Sequence, residues 1–278
     1  MQELGLDIEQ VLQWFPHEIE TPYVLIRVSA DHANGWPIAL CDAVRRCYLK
    51  DELLINRTQE LKEEFSGTPE SRQLKVINSK LPPSGSTMSG DFGEILFYIY
   101  QAARAHPQTA VGPKKWRLKH DRTKPAPGSD VVHFILPTWP TPSAQDEILC
   151  AEVKAKATDG ISSPIEEAIK DCAKDRISRL SRTLQWLKAR AIGESLGAVQ
   201  ISHLDRFINA TDYPSAIKRF RAVAVICSNL LDSELVKAPA QALTEYSLFV
   251  VAVPNLRAVY TAVFSAASAS ILPNGQVK

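Results

Sequence analysis

Residues 128–156 read GSDVVHFILPTWPTPSAQDEILCAEVKAK, and the architecture can be built from them. Residues 131–136 are β-branched or apolar, and 148–153 form a second apolar run of strand length. Pro137, Pro140 and Pro142 keep the segment between the runs out of any ladder. The stretch therefore reads as two strands joined by a proline-rich turn. Side chains alternate across a strand. Glu152 and Lys154 thus share one face, while Ala151 and Val153 turn the other way, into the core. A hairpin sets the start of its first strand beside the end of its second. Asp130 is therefore expected next to Glu152 and Lys154, so that two carboxylates and an ammonium converge at one end of an apolar sheet.

Upstream of the hairpin, GDFGEILFYIYQAARA predicts a helix over 91–105, capped by Ser89 or Asp91. Its buried stripe is Ile95, Leu96, Ile99 and Ala103, with Glu94 in the first turn and off the centre of that stripe. A strand over 115–120 (KWRLKH) follows. Downstream, Ser163, Pro164, Glu166 and Glu167 form a helix start with cap, first-turn proline and first-turn acids. That helix runs to about residue 191, with one apolar face and one basic face. Strands over 222–227 and 248–253 and a helix over 256–268 complete the order α-β-β-β-α-β, then β-α.

The first 85 residues read as an α+β section of their own. It holds a helix over 8–15, a strand over 23–28, a helix over 39–50, a charged segment and a short strand over 74–77. LPPSGSTMS, residues 81–89, is the expected boundary. The division is then 1–85, a partner-docking section, and 86–278, the domain that carries the polar cluster.

Composition excludes several classes. Of 278 residues, 45% are apolar and 23% charged, which is ordinary for a globular protein. A net charge of +1 gives no global attraction to a polyanion, so any nucleic-acid surface is a local patch. Five scattered cysteines without a C-x-x-C pair indicate neither a disulfide framework nor a zinc ribbon, and imply a reducing, cytoplasmic compartment. The N-terminus lacks the apolar core of a signal peptide. The apolar tail from residue 248 is broken by Pro254, Asn255 and Arg257, so it reads as strand then helix, and no membrane association is expected.

With G-D-x-G-E on the first helix (Gly90 to Glu94), S-D at Ser129–Asp130 and E-V-K at 152–154, the chain resembles the PD-(D/E)xK nuclease superfamily. It departs from the pattern at the proline, since Asp130 follows Ser129 and Pro127 lies three residues before it. More narrowly, GDFGEILFYIY, KPAPGSD and AEVKAK resemble the nuclease subunit of the Hachiman anti-phage defence system, HamA, from residue 89 onward. The resemblance implies an α/β, restriction-endonuclease-like core of mixed β-sheet flanked by helices, with an N-terminal α+β extension. It also implies a divalent-metal-dependent DNA nuclease with a helicase partner, HamB. The alternative is a non-catalytic nucleic-acid-binding or scaffold module on the same fold.

Phosphodiester hydrolysis needs an oriented water and neutralisation of the charge that builds on phosphate and leaving oxygen. Hard oxygen ligands holding Mg²⁺ or Mn²⁺ supply this. The resemblance makes Asp130, Glu152 and the Val153 carbonyl the metal ligands, with Glu94 completing the site. Lys154 would hold the attacking water. Lys115, Arg117 and Lys119 lie just upstream and could track a phosphate backbone, as could Lys170 and Lys174 on the long helix. Asp171 and Asp175 read as surface partners of those lysines. Trp116 has two readings, base stacking or core filling. His133 and Cys150 read as structural.

Overall fold

The computed structural model describes residues 1–20, 22–241 and 244–273. Its centre is a seven-stranded mixed sheet in the order β1-β2-β7-β6-β5-β4-β3. The strands are β1 (His17–Glu20), β2 (Tyr23–Arg27), β3 (Ala110–Val111), β4 (Val131–Ile135), β5 (Glu147–Lys156), β6 (Ile217–Cys227) and β7 (Ser247–Val253). The pairs β2–β7, β7–β6 and β6–β5 are parallel, while β5–β4, β4–β3 and β1–β2 are antiparallel. The expected α/β architecture, a mixed sheet flanked by helices, is present.

Eleven helices are described. In chain order they are α1 (Ile8–Trp14), α2 (Ala30–Ala39), α3 (Cys41–Tyr48), α4 (Asp51–Glu64), α5 (Pro69–Lys80), α6 (Ser86–Arg104), α7 (Pro164–Lys174), α8 (Leu180–Ala191), α9 (Ile201–Ile208), α10 (Leu231–Leu235) and α11 (Leu256–Ser268). Among the described residues, no helix is long and apolar enough to cross a membrane.

Strand periodicity sorts the core into layers. Val223, Val225, Phe249 and Val251 face the layer of α1–α3, α6 and α11. Ala222, Ala224, Ile226, Leu248 and Val250 face α7 and α10. Each fully buried Val, Leu, Ile or Phe among them contributes roughly 1.5–3 kcal/mol. A third cluster joins Val132, Phe134, Ile148 and Cys150 to α8 and α9. Both faces of β5 are therefore covered.

The hairpin of β4 and β5 forms in the expected register, with Val131 opposite Ala151. The long helix also forms, but as α7 and α8 joined through a single π-helical turn, Asp175–Arg179. Pro164 opens α7, and the Glu167 carboxylate accepts the Ser163 N–H at 3.3 Å.

Several local expectations are corrected. Residues 115–120 form no strand: Lys115–Leu118 is a 3-10 turn after Pro113, and the sheet edge beside β4 is the short β3. Residues 74–77 are helical, because Thr68 caps α5 by accepting the Ser71 N–H at 3.2 Å and Pro69 fills the first helical position. The charged segment after residue 50 is α4, and the helix expected over 39–50 is α3, preceded by α2, which Ser29 caps. α6 begins at Ser86, before either expected cap, and Asp91 lies inside it. The 1–85 section contributes strands to the same sheet and side chains to the same core. β2 pairs with β7, and Val11, Trp36 and Val44 share one core cluster with Phe92, Val225 and Val263.

Candidate functional site

The site is assembled from the carboxyl end of β5, the residue before β4, the first half of α6, the 3-10 turn and the π-helical turn. β4 pairs with β5 only as far as Val131 opposite Ala151. The next outward N–H on β5, that of Val153, has no strand partner there, and Asp130 Oδ2 accepts it at 2.9 Å. Asp130 is thereby fixed across from Glu152. The N–H and C=O of one strand residue face the same edge, so the Val153 carbonyl also faces Asp130's side.

Glu152 and Lys154 project together, as the alternation requires: Lys154 Nζ lies 2.9 Å from Glu152 Oε1. The other oxygen, Oε2, accepts from Arg179 Nη2 at 2.6 Å. Lys154 also pairs with Asp171 at 2.7 Å. Glu152 is only 2% exposed. Burial lifts its carboxyl to about 8, Asp130 adds repulsion, and Lys154 and Arg179 pull it back. The Lys154 ammonium is held above the ordinary lysine value, because Asp171 and Glu152 outweigh its burial.

Glu94 approaches from α6 and is buried. Its Oε2 accepts from Trp116 Nε1 at 3.0 Å and lies 3.3 Å from Lys115 Nζ. The same ammonium is 3.3 Å from Asp130 Oδ1 and donates to the Ser129 carbonyl at 3.1 Å. Burial raises the Glu94 carboxyl to about 8, with Lys115 opposing the shift and Asp130 adding to it. Lys115 is raised despite its burial, by Glu94 and then Asp130.

The four expected polar residues, Glu94, Asp130, Glu152 and Lys154, are thus brought into one linked network. The expected basic strip is not. Lys115 is turned inward between Glu94 and Asp130. Lys119 pairs with the buried Asp91 at 2.6 Å, and Tyr48 donates to the same carboxylate at 2.5 Å. Arg117 binds Glu3 at 2.6 Å and the Arg46 carbonyl. Each of these three side chains is paired with a carboxylate of the fold. Lys170 and Lys174 are exposed on α7, with Lys174 paired to Asp171.

Asp171 pairs with Lys174 on the helix surface, as expected, whereas the reading of Asp175 is corrected. Asp171 joins the site through Lys154. Asp175 is 1% exposed and holds Arg179 Nε at 2.6 Å while accepting from Ser129 Oγ at 2.7 Å. The site roles of Arg179, Asp175 and Ser129 are those that sequence reasoning missed. A signal was present: Asp175 and Arg179 stand three and seven residues after Cys172, within the helix's own apolar stripe. Trp116 fills the core and orients Glu94. His133 is fully buried against Gln101 and Tyr98, and burial holds its imidazole well below the ordinary value. Cys150 is buried too, its thiol raised by burial. Both are structural, as expected.

The donor chemistry fits a hard divalent cation, since Glu94, Asp130 and Glu152 are all oxygen donors. A cation, the Lys115 ammonium, already stands between two of them. Among the described residues, no three His, Cys, Asp or Glu groups close into a ready-made metal shell. Lys115 separates Glu94 from Asp130, and Lys154 and Arg179 hold both oxygens of Glu152.

No curated protein matches this sequence. The HamA family model matches residues 11–267, a span that takes in most of the first 85 residues and the polar cluster. The chain belongs to the HamA family, a component of Hachiman anti-phage defence.

Proposed function

We propose that this protein is a divalent-metal-dependent DNA nuclease, the effector of a defence complex with a helicase partner, on a PD-(D/E)xK-type core. The observation that carries the reading is the junction of Asp130, Glu152 and Lys154 at the end of the β4–β5 hairpin, with Glu94 joined to it through Lys115. Asp130, Glu152, Glu94 and the Val153 carbonyl would hold Mg²⁺ or Mn²⁺. The ion would supply charge neutralisation at the phosphate and activation of a bound water. Lys154 is the most exposed of the site's cations, with about a quarter of its side chain in solvent. It is suited to orient the attacking water and to stabilise the charge that develops on the phosphate. Arg179 and Asp171 fix the rotamers of Glu152 and Lys154.

A nuclease with a net charge of +1 has little long-range attraction to DNA. A helicase partner that delivers DNA, or releases a restrained nuclease, answers that need. Because residues 1–85 share the sheet, the partner's contact would lie on the outer faces of α2 and α4, where Ile38 and Leu53 are exposed. Substituting these two positions tests the surface without removing a strand.

The experiment is plasmid cleavage by the purified protein with Mg²⁺, alone and with the proposed helicase partner. Glu152→Gln and Asp130→Asn should each abolish cleavage, and Ile38→Asp with Leu53→Asp should abolish co-elution with the helicase. Parental cutting by Glu152→Gln would sink the assignment.

A further inference from the structure

Lys115 was expected to face DNA, yet it is one of the most enclosed cations in the chain, at 4% exposure. Burying an ammonium is costly unless carboxylates surround it. Here they do so loosely, at 3.3 Å from Glu94 and 3.3 Å from Asp130. Charge-assisted N–H···O pairs ordinarily close to about 2.7–2.9 Å. Lys154–Glu152 and Arg179–Glu152, in the same network, do close to 2.9 and 2.6 Å. Lys115 therefore bridges two carboxylates at once without seating fully on either, as a counter-ion shared between them does.

Glu94 is buried and Asp130 largely so, and a positive charge between them offsets the cost of holding two carboxylates together.

We propose that Lys115 is the internal counter-ion of the metal-free site, that it occupies the position between Glu94 and Asp130, and that it leaves when a divalent cation binds. The proposal rests on the metal-site reading above. Metal affinity is then set by competition with a tethered ammonium, and the site stays neutralised until metal arrives.

The test is Mn²⁺ binding to the full chain without DNA, followed by the electron paramagnetic resonance of free Mn²⁺. Lys115→Met should bind Mn²⁺ at least ten-fold more tightly than the parent, and its melting temperature should rise further on adding Mn²⁺. Asp130→Asn in the parent background should lose binding. Should Lys115→Met fail to fold, the parent itself provides the second measurement. Acetylation of Lys115 by an amine-reactive ester, read by mass spectrometry, should increase when Mn²⁺ is added. Affinity in Lys115→Met equal to or weaker than the parent's, or labelling of Lys115 unchanged by Mn²⁺, overturns the proposal. If the parent binds Mn²⁺ and Asp130→Asn does not, the metal site stands whatever happens at Lys115. Absence of binding by every variant overturns both.

Discussion

Arg179 Nη2 donates to Glu152 Oε2 at 2.6 Å while its Nε donates to Asp175 Oδ1 at 2.6 Å, so one guanidinium ties the candidate metal ligand on β5 to a fully buried aspartate of the π-helical turn. Ser129 Oγ binds the same Asp175 oxygen, and the Ser129 N–H donates to Thr183 Oγ1 at 2.9 Å. The residue before Asp130 and the helix that orients Glu152 are thus joined in one polar network. A π turn inserted in a long helix commonly marks a functional position, and here it places Arg179 over the sheet.

Removing Arg179 should therefore act on stability as well as on the site. Arg179→Ala leaves Asp175 buried without its cation, and a loss of about 2 kcal/mol or more is expected in urea unfolding. The double cycle with Asp175→Asn should give a coupling of about 1–3 kcal/mol. Additive single effects would place the two side chains in separate networks.

Gly128, immediately before Ser129 and Asp130, has a φ of 88°, and a Cβ there would lie 2.6 Å from Thr183 Oγ1. Strain and clash act together, so Gly128→Ala should destabilise by about 1–3 kcal/mol. Gly193, where an added Cβ meets nothing within 4 Å, is the control. Gly193→Ala should change the unfolding midpoint little.

Acid sensitivity should be traceable to the N-terminus. Burial pushes the Glu3 carboxyl upward, but the bonds and charges of Lys114 and then Arg117 outweigh it and hold it at about 2, against an ordinary value of 4.5. A carboxyl depressed in the folded state contributes stability above its unfolded value and loses it as pH falls toward the folded one. Thermal unfolding of the parent should therefore weaken between about pH 4.5 and pH 2 more steeply than that of Glu3→Gln. Parallel curves would show that the Glu3 cluster does not hold in solution.

Exposed and internal lysines should separate in DNA binding. Neutralising Lys170 and Lys174 together should weaken binding without regard to sequence, and make its salt dependence shallower by about one to two counterions. Lys119→Met should instead lower stability, because it strips the cation from Asp91, which is 1% exposed. A salt slope unchanged in the α7 double variant would place DNA on another face.

The hairpin, its register and the meeting of Asp130 with Glu152 and Lys154 were legible in residues 128–156, because strand alternation and antiparallel pairing are local rules. The strands β6 and β7 and the helix α11 were legible for the same reason, as unbroken apolar runs with turn residues between them. The errors fall where local pattern carries no information about the partner. KWRLKH alternates like a strand, yet Lys115, Trp116 and Leu118 all turn inward, since Glu94, Asp130 and the core of the third cluster wait there. Residues 74–77 look like a strand until the Thr68 cap and Pro69 are counted with them.

Composition and spacing thus specified an α/β chain with an acidic and basic cluster at a strand end, because periodicity is written in the order of residues. Which cations would neutralise which carboxylates was settled only by folding. Lys115, Arg117, Lys119 and Arg179 read alike as surface charge, and each has an internal carboxylate partner far away in sequence. The membership of residues 1–85 in the same sheet is of the same kind. The β2–β7 pairing links residues more than two hundred positions apart, and no local rule reaches that far.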